Sequence, residues 1–278
     1  VFGSASLPNL FAAETDKPAK LGGKPVRTVA FPAWPILDET EDKALLEVLH
    51  SKKWFRGSGQ MVDRFETEYA KLMGAKHCIA TSNGTSAVYA SLAALDVGPG
   101  DEVIIPPYTF VATLNAVLLN HALPIFVDTD PETFQIDARK IEAAISERTT
   151  AIMPVHLGGN ASDLDAIMKI GNSRKIAVVE DACQAHLAEW RGKKVGNYGA
   201  TGCFSFQASK NLNSGEGGAL LTNDDELAEK LFAFQNNCRA RKTSSYNFTY
   251  RGTRGANLRL TEFRGALLLA QMARVQRQ

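Results

Sequence analysis

Cysteine is scarce in this chain of 278 residues. Its four cysteines, Cys78, Cys183, Cys203 and Cys238, are scattered, and no two of them form a C-x-x-C pair. Zinc sites and disulfide frameworks are recognised by characteristic cysteine spacings, so neither is predicted here. The expected state of these side chains is the buried free thiol. We therefore predict that the protein has no metal site.

Long apolar runs and an excess of charge of one sign are also missing. No apolar run approaches the roughly 18 residues that indicate a membrane-spanning helix. The formal net charge is +1, which gives no general attraction to nucleic acid or to an anionic membrane. No G-x-G-x-x-G or G-x-x-x-x-G-K-[ST] pattern follows a predicted strand, which disfavours a nucleotide-binding α/β domain. These absences predict a globular protein whose partners include neither nucleic acid nor a membrane.

The first residues differ in composition from the rest of the chain. The sequence begins with Val1, and residues 1–14 are small, apolar and uncharged until Glu14. Such a segment is typical of the end of a secretory leader or of a surface extension. We predict residues 1–20 as an N-terminal extension or leader remnant and residues 21–278 as one large domain. The cytoplasm is the expected compartment, and export of the folded protein is the alternative if residues 1–14 are a leader remnant.

Short apolar runs alternate with amphipathic segments along the rest of the sequence. The runs predicted as strands are residues 77–81, 102–106, 124–127, 151–155, 176–179, 202–206 and 218–222. The predicted helices are residues 39–51, 61–73, 85–95, 109–120, 137–146, 162–171, 224–236 and 260–278. Nearly continuous apolar strands separated by helices predict an α/β fold in which a mainly parallel sheet lies between helices.

The segment around Lys210 is the most informative part of the sequence. This lysine follows a short apolar run and precedes the glycine-rich turn Gly215-Glu-Gly-Gly218. A desolvated lysine amine can lose its proton and form a Schiff base with a carbonyl. Asp181 lies at the carboxyl end of another apolar strand. Pyridoxal phosphate requires these two protein groups, a lysine for its aldehyde carbon and a carboxylate for its pyridinium nitrogen.

A phosphate site is predicted in the loop of residues 82–86. Ligands of parallel sheets bind beyond the carboxyl ends of the strands, where this loop joins a strand to a helix. The N–H groups of Gly84, Thr85 and Ser86 are expected to attract a phosphate at the start of that helix. A plain capping turn is the alternative. Ser205 is expected to add a hydroxyl group to the same phosphate, and a buried strand serine is its alternative.

Other residues near these strand ends are candidates for contact with the cofactor ring. Glu180 competes with its neighbour Asp181 for the ring nitrogen. Gln184 and His186 lie within one turn of Asp181, and either side chain can bond to a ring hydroxyl, with ordinary polar positions on the surface of a helix as the alternative. Phe110 begins a predicted helix and is expected to stack on a planar ring, with ordinary core packing as the alternative.

The order of these segments resembles the DegT/DnrJ/EryC1/StrS family, the pyridoxal-phosphate sugar aminotransferases of fold type I. The resemblance runs from about Leu21 to the end of the chain. It rests on the ordered motifs Asn83-Gly-Thr-Ser86, Gly98-Pro-Gly-Asp-Glu-Val103, Thr109-Phe-Val-Ala-Thr113, Val127-Asp128, Pro154-Val-His156, Glu180-Asp-Ala-Cys-Gln-Ala185, Ser205-Phe-x-x-x-Lys210, Gly215-Glu-Gly-Gly218 and Asn257-Leu-Arg-Leu-Thr-Glu262.

The resemblance implies a role for each residue that matches a family motif. Lys210 matches the lysine that forms the Schiff base, and Asp181 matches the partner of the pyridine nitrogen. Gln184 matches the glutamine beside the ring hydroxyl, and Phe110 matches the aromatic residue that stacks on the ring. The residues that match phosphate ligands are Gly84, Thr85 and Ser205.

Further implications concern the substrate and the assembly. Asn257 matches an asparagine that reaches the phosphate of the neighbouring subunit, which implies a homodimer. His156, His186 and Arg259 are the expected substrate contacts. Members of the family carry a smaller C-terminal domain that helps to close the active site, and this domain is expected to be absent from the present chain.

The resemblance implies transfer of an amino group from glutamate or glutamine to a keto sugar, nucleotide-linked, or to a cyclitol ketone. The stretch Phe206-Gln-Ala-Ser-Lys210 is similar to the branch that aminates cyclitol ketones such as scyllo-inosose. Members with histidine at the lysine position are sugar dehydratases, so lysine at position 210 favours transamination. Dehydration on the same cofactor and a non-catalytic regulator that binds a nucleotide sugar remain the alternatives.

Overall fold

The structure is a computed structural model that describes residues 17–241, 244 and 254–275. The chain divides into two compact units, Val1–Ile36 and Leu37–Gln278. Among its described residues the first unit contains one short 3-10 turn, Ala19–Leu21. The second unit begins at Leu37, and the domain boundary at residue 21 stays a prediction. The predicted leader remnant, residues 1–14, lies outside the described residues.

The second unit alternates helices and strands in the predicted order. Its helices are α1 (Glu39–Ser51), α2 (Met61–Met73), α3 (Gly84–Ala94), α4 (Val111–Leu119), α5 (Ala138–Ala144), α6 (Leu164–Arg174), α7 (Asp225–Gln235) and α8 (Glu262–Val275). Its strands are β1 (His77–Thr81), β2 (Glu102–Ile105), β3 (Leu123–Phe126), β4 (Thr149–Ile152), β5 (Ala177–Asp181), β6 (Glu189–Trp190), β7 (Lys193–Lys194), β8 (Thr201–Ser205) and β9 (Gly218–Thr222). Each predicted helix and strand is present, with shifts of a few residues at the ends, and residues 276–278 of the last predicted helix lie outside the described residues.

The hairpin of β6 and β7 is a described element that the sequence analysis missed. Its two strands have two residues each, too short to show an alternation of apolar and polar side chains. Its turn residues, Arg191 and Gly192, both have positive φ angles. This conformation is typical of the tight turns that join antiparallel strands.

Seven strands form one sheet in the order β1-β9-β8-β5-β4-β2-β3. β9 is antiparallel to both of its neighbours, and the remaining pairs are parallel. The predicted mainly parallel sheet is therefore confirmed. Because β1, β5 and β8 run in the same direction, the residues that follow them meet at one edge of the sheet.

Helices cover both faces of this sheet. α3, α4 and α7 pack on one face, against side chains such as Ile79 and Val179. α2 and α8 pack on the other face, against Cys78 and Phe204, and α5 and α6 cover the same face near Ile152. Adjacent residues of a strand point to opposite faces, as Cys78 and Ile79 do. Burial of both faces explains why the strands are nearly continuous apolar runs.

Among the described residues, the helices are too short or too polar to span a membrane.

Candidate active site

A cavity of about 830 Å³ opens at the edge of the sheet where β1, β5 and β8 end. Eight of the predicted site residues line it: Gly84, Thr85, Ser86, Phe110, Asp181, Gln184, Ser205 and Lys210. Residues from distant parts of the sequence therefore meet at the edge where the parallel strands predicted a ligand site. Four other predicted residues, Asn257, His156, His186 and Arg259, do not line the cavity.

The predicted phosphate loop forms the start of α3. Asn83 is the N-cap of this helix, and its side-chain oxygen accepts a hydrogen bond from the Ser86 N–H at 2.8 Å. The Ser86 N–H, which we expected to face a phosphate, is therefore used by the cap. Within the described residues the N–H groups of Gly84 and Thr85 have no partner. They lie at the positive end of the helix, where an anion is favoured.

Gly84 allows Ser205 to approach the start of α3. A Cβ atom at position 84 would lie 2.6 Å from the Ser205 Cβ and 3.1 Å from the Cys183 Sγ. Only a glycine leaves room for this approach, and the Ser205 Oγ would lie 3.1 Å from a Cβ atom at position 84. Two N–H donors and one hydroxyl around a helix N-terminus fit a phosphate group.

Asp181 is buried at the end of β5, with 5% of its surface exposed. Its Oδ2 accepts a hydrogen bond from Thr113 Oγ1 at 2.8 Å, and its Oδ1 accepts one from the Cys183 N–H at 3.2 Å. Both donors are uncharged, and no described residue forms a salt bridge with this carboxylate. A buried carboxylate without a cationic partner is costly. A protonated pyridine nitrogen in the cavity supplies such a partner, so Asp181 fits the ring of pyridoxal phosphate.

Glu180, the alternative partner for the ring nitrogen, is fully buried on the opposite side of β5. Its Oε1 accepts hydrogen bonds from the N–H groups of Tyr198 and Gly199 at 2.7 and 2.8 Å. Its Oε2 accepts from the Gly196 N–H at 2.6 Å and from His156 Nε2 at 3.1 Å. These bonds commit Glu180 to the protein interior and support Asp181 for the role.

Lys210 lies in a tight loop between β8 and β9. The Lys210 N–H donates to the Gln207 carbonyl at 2.8 Å, and the Ala208 N–H donates to the Gly215 carbonyl at 3.0 Å. The side chain is half-buried and lines the cavity. Among the described residues, no hydrogen-bond acceptor or carboxylate engages its ammonium group. The loop therefore fixes the backbone of Lys210 and leaves its amine available to a ligand.

Gln184 and Phe110 lie on the cavity wall with different degrees of restraint. The Gln184 side-chain oxygen accepts a hydrogen bond from the Gly158 N–H at 2.8 Å, which orients the amide. Phe110 is the N-cap residue of α4, which begins at Val111, two residues after the predicted start of this helix at residue 109. The exposed fraction of the Phe110 surface is 67%. An exposed aromatic ring on the wall of a cavity is suited to stacking on a planar ligand.

His156 is a core histidine and does not reach the cavity. Its Nε2 donates to Glu180 Oε2, and its Nδ1 accepts a hydrogen bond from the Ser162 N–H at 3.1 Å. No part of its surface is exposed. Both ring nitrogens are committed to protein groups, so the expected substrate contact does not fit this side chain.

His186 supports β8 from behind the cavity. Its Nε2 donates to the Ser205 carbonyl at 2.8 Å, and its Nδ1 accepts from the Tyr69 hydroxyl at 3.0 Å. The ring stacks on Phe206 at a centroid distance of 5.3 Å. Burial lowers the pKa of His186 to about 4. A neutral histidine whose nitrogens are both occupied does not fit the predicted contact with substrate or ring hydroxyl.

Asn257 and Arg259 lie in a segment that runs beside the phosphate loop. The Ser82 N–H donates to the Leu258 carbonyl at 2.7 Å. Arg259 donates to the Asn236 side-chain oxygen at 3.2 Å. Asn257 is exposed. Its predicted contact with a neighbouring subunit stays a prediction, as does the substrate contact of Arg259.

Thr113, Asn83 and Glu216 also line the cavity; the sequence analysis placed them in motifs but assigned them no role at the site. Thr113 follows Thr109 by four residues, a spacing that places two side chains on one side of a helix. The neighbouring Cys183 thiol is neutral, because burial and the nearby Asp181 raise its pKa well above the usual range. Among the described residues no three His, Cys, Asp or Glu side chains are grouped to hold a metal ion.

Comparison with known proteins agrees with this arrangement. Residues 35–278 match the DegT/DnrJ/EryC1/StrS aminotransferase family. The GDP-perosamine synthase of Caulobacter vibrioides is 41% identical over 243 residues, which are 87% of this chain and 64% of that protein. The L-glutamine:2-deoxy-scyllo-inosose aminotransferase of Micromonospora echinospora is 40% identical over 268 residues, 92% of this chain and 64% of that protein.

A solved structure shows the same fold. It is NtdA from Bacillus subtilis with bound cofactor PMP, with a TM-score of 0.74 and 38% identity over 84% of this chain and 52% of that chain. The present chain spans less than two thirds of the length of each of these three proteins. The family match nevertheless covers most of the present chain. The chain therefore belongs to the DegT/DnrJ/EryC1/StrS aminotransferase family.

Proposed function

We propose that this protein is an aminotransferase that uses pyridoxal phosphate. One observation carries the proposal: an available lysine amine, a buried carboxylate without a cation and a helix N-terminus with free N–H groups line a single cavity. These groups match the aldehyde, the ring nitrogen and the phosphate of the cofactor. When bound, pyridoxal phosphate supplies an aldehyde that links covalently to amines and a ring that accepts electron pairs.

Six residues would hold the cofactor beside Lys210. The N–H groups of Gly84 and Thr85 and the hydroxyl of Ser205 would bind the phosphate. Asp181 would accept a hydrogen bond from the protonated ring nitrogen and balance its charge. Gln184, oriented by the Gly158 N–H, would donate its amide hydrogen to the ring hydroxyl. The exposed ring of Phe110 would cover one face of the cofactor ring.

Lys210 would be the catalytic residue that binds the cofactor and transfers the proton. Its amine would hold the cofactor until an amino donor displaces it. The freed amine would then remove the proton from the α-carbon of the donor and carry it to the carbon atom that was the aldehyde carbon of the cofactor. Asp181 would keep the ring nitrogen protonated throughout. Backbone hydrogen bonds within residues 206–217 would hold Lys210 at the wall of the cavity.

The relatives support two kinds of amino acceptor. One is named for GDP-perosamine and the other for a cyclic inosose with glutamine as donor. We propose glutamine or glutamate as the donor and a keto sugar, nucleotide-linked, or a cyclitol ketone as the acceptor. Lysine at position 210 supports amino transfer rather than dehydration.

The test is a product assay on the full-length protein supplied with pyridoxal phosphate and glutamine. Scyllo-inosose and a GDP-linked 4-keto sugar serve as acceptors, and mass spectrometry distinguishes an amine product from a product that has lost water. We expect an amine, its complete loss in Lys210→Ala, and normal activity in Lys169→Ala, which changes an exposed lysine of α6. A dehydrated product, or amine formation by Lys210→Ala, would contradict the proposal.

We also propose that the protein is a homodimer. Large apolar side chains are exposed along α4 and the adjacent edge strand β3, namely Val111, Leu118, Leu119, Leu123 and Phe126. An exposed apolar surface of this kind marks an interaction site, and an edge strand needs cover. A second copy of the chain would bury this surface. The exposed Asn257 of each copy would then reach the phosphate site of the other copy.

A further inference from the structure

The hydroxyl groups of Thr109 and Thr113 form a short chain that ends on Asp181. Thr113 Oγ1 lies 2.8 Å from Asp181 Oδ2, and Thr109 Oγ1 lies 2.7 Å from Thr113 Oγ1. A hydroxyl has one hydrogen to donate. Thr113 gives its hydrogen to the carboxylate, so Thr109 donates to Thr113 at 2.7 Å rather than to the Phe110 carbonyl, which lies at 3.4 Å. Both hydrogens therefore point along the chain toward the carboxylate, an order that strengthens each bond.

The surrounding structure holds each member of this chain in place. Thr113 is almost fully buried in the first turn of α4, and Thr109 precedes that helix on the cavity wall. On the other side of the carboxylate, the Cys183 N–H donates to Asp181 Oδ1. The Asp181 N–H is bonded to the Pro154 carbonyl at 2.9 Å. Each oxygen of the carboxylate thus accepts a hydrogen bond, and the two bonds restrict its rotation.

We propose that Thr113, supported by Thr109, positions the Asp181 carboxylate for the ring nitrogen of the cofactor. This inference rests on the proposed function. A carboxylate has about four lone-pair positions, and two are taken by Thr113 and the Cys183 N–H. Asp181 lines the cavity, and we infer that a remaining position accepts the hydrogen of the ring nitrogen there. Thr113 acts through Asp181 and is therefore a positioning residue rather than a catalytic one.

The test measures the affinity of the protein for pyridoxamine 5′-phosphate by isothermal titration calorimetry. This compound has no aldehyde and forms no covalent link with Lys210, so its Kd reports the non-covalent contacts alone. We expect Thr113→Val to raise the Kd about tenfold, the size expected for the loss of a hydrogen bond to a charged group. Thr113→Ser keeps the hydroxyl and should remain within about twofold of the wild type. Thr67→Val, an exposed change on α2, is the matched control and should bind as the wild type does.

A second ligand separates positioning from general structural damage. The 1-deaza analogue of pyridoxamine 5′-phosphate has a C–H group in place of the ring nitrogen. It cannot use the Asp181 carboxylate as the natural ring does, so the wild type and Thr113→Val should bind it equally. Thr109→Val should weaken binding of the natural compound by about threefold, less than Thr113→Val, because it acts one hydroxyl further away.

Three results would overturn the inference. The first is that Thr113→Val binds pyridoxamine 5′-phosphate as tightly as the wild type does. The second is that Thr113→Ser loses as much affinity as Thr113→Val does. The third is that Thr113→Val loses affinity equally for pyridoxamine 5′-phosphate and for its 1-deaza analogue. A wild-type protein that binds no pyridoxamine 5′-phosphate would overturn the proposed function and this inference together. Normal wild-type binding with an unaffected Thr113→Val would overturn only this inference.

Discussion

Gly84 is the residue at which the cavity depends most on the absence of a side chain. An alanine there would place its Cβ 2.6 Å from the Ser205 Cβ, and neither group can move away without shifting a helix or a strand. We expect Gly84→Ala to weaken binding of pyridoxal phosphate roughly tenfold or more. Gly98→Ala is the control, because its nearest neighbours would lie at 3.6 and 3.9 Å. Equal affinities of the two variants, measured by titration with the cofactor, would show that the approach of Ser205 to α3 is not required.

His186 gives the folded protein a specific dependence on pH. The folded state holds it neutral with a pKa of about 4, whereas the unfolded chain protonates histidine near the ordinary value of about 6.5. Between these values the unfolded state binds more protons, so the free energy of unfolding falls as the pH falls. Between pH 7 and pH 5 the loss from this side chain is about 2 kcal/mol.

Urea unfolding of the cofactor-free protein at pH 7 and pH 5 checks this expectation. His186→Asn keeps a donor for the Ser205 carbonyl and removes the titrating ring. The variant should lose about 2 kcal/mol less than the wild type over this interval. If both proteins lose the same amount, His186 is not held neutral by the fold.

Sequence reasoning found the residues of the cavity that local features mark. Lys210 and Asp181 stand at the ends of apolar runs, so the strand pattern alone brings them to the same edge of the sheet. The hydrogen-bond partner of each polar atom could not be predicted from the strand pattern. The Ser86 N–H belongs to the Asn83 cap, and the nitrogens of His156 are taken by Glu180 and Ser162. These bonds depend on side-chain directions that only the packed structure sets.

At the scale of elements, α2 is capped by a residue of α8. Gln60, its N-cap residue, makes no side-chain capping bond. Instead, the buried Glu262 carboxylate accepts hydrogen bonds from the Met61 and Val62 N–H groups at 2.7 and 3.3 Å. We expect Glu262→Ala to lower the free energy of unfolding by about 2 kcal/mol, because it removes a cap and a negative charge from a helix N-terminus.

The control for this prediction is Glu39→Ala, which removes an exposed carboxylate from the first turn of α1. Its expected cost is below about 0.5 kcal/mol. Chemical denaturation of both variants gives the comparison. Similar losses in the two variants would mean that Glu262 contributes no more than a surface charge.

The periodicity of apolar residues predicted the helices and strands because burial imposes that periodicity. The link between α2 and α8 has no such signal. Glu262 lies about 200 positions from Met61 in the sequence. From the sequence alone, a carboxylate at the start of α8 is expected to interact with the N-terminus of α8 and not with that of another helix. Contacts of this range depend on the arrangement of the elements in space.

At the scale of the whole molecule, the exposed apolar surface of α4 and β3 predicts a dimer. Charged residues substituted for Leu118 and Leu119 would be buried in that interface if the dimer formed. The double variant Leu118→Asp, Leu119→Asp should raise the dimer dissociation constant at least about 100-fold, since burial of two leucines contributes about 3 kcal/mol or more. Leu46→Asp, at an exposed leucine of α1 outside this surface, should leave the dimer intact.

Sedimentation velocity at micromolar concentration distinguishes these outcomes. A wild-type protein that sediments as a monomer, or a double variant that sediments as a dimer, would show that this surface does not join two copies. A loss of dimer in Leu46→Asp would move the interface to α1.

The fold class followed from the alternation of strands and helices, but the order of the strands did not. β9 lies between β1 and β8 and runs against both. Its apolar residues resemble those of the parallel strands, because β9 is buried on both faces as well. Pairing between strands so distant in sequence is set by the packing of the whole sheet.

The central claim is that Lys210 carries an amino-transfer reaction on pyridoxal phosphate. The most direct test is the visible absorbance spectrum of the full-length protein with the cofactor, before and after addition of glutamine or glutamate, beside the same spectra of Lys210→Ala. The account predicts a visible band that requires Lys210 and decays when a donor is added. A wild-type protein that takes up no cofactor, or a Lys210→Ala protein with the same band and the same decay, would contradict it.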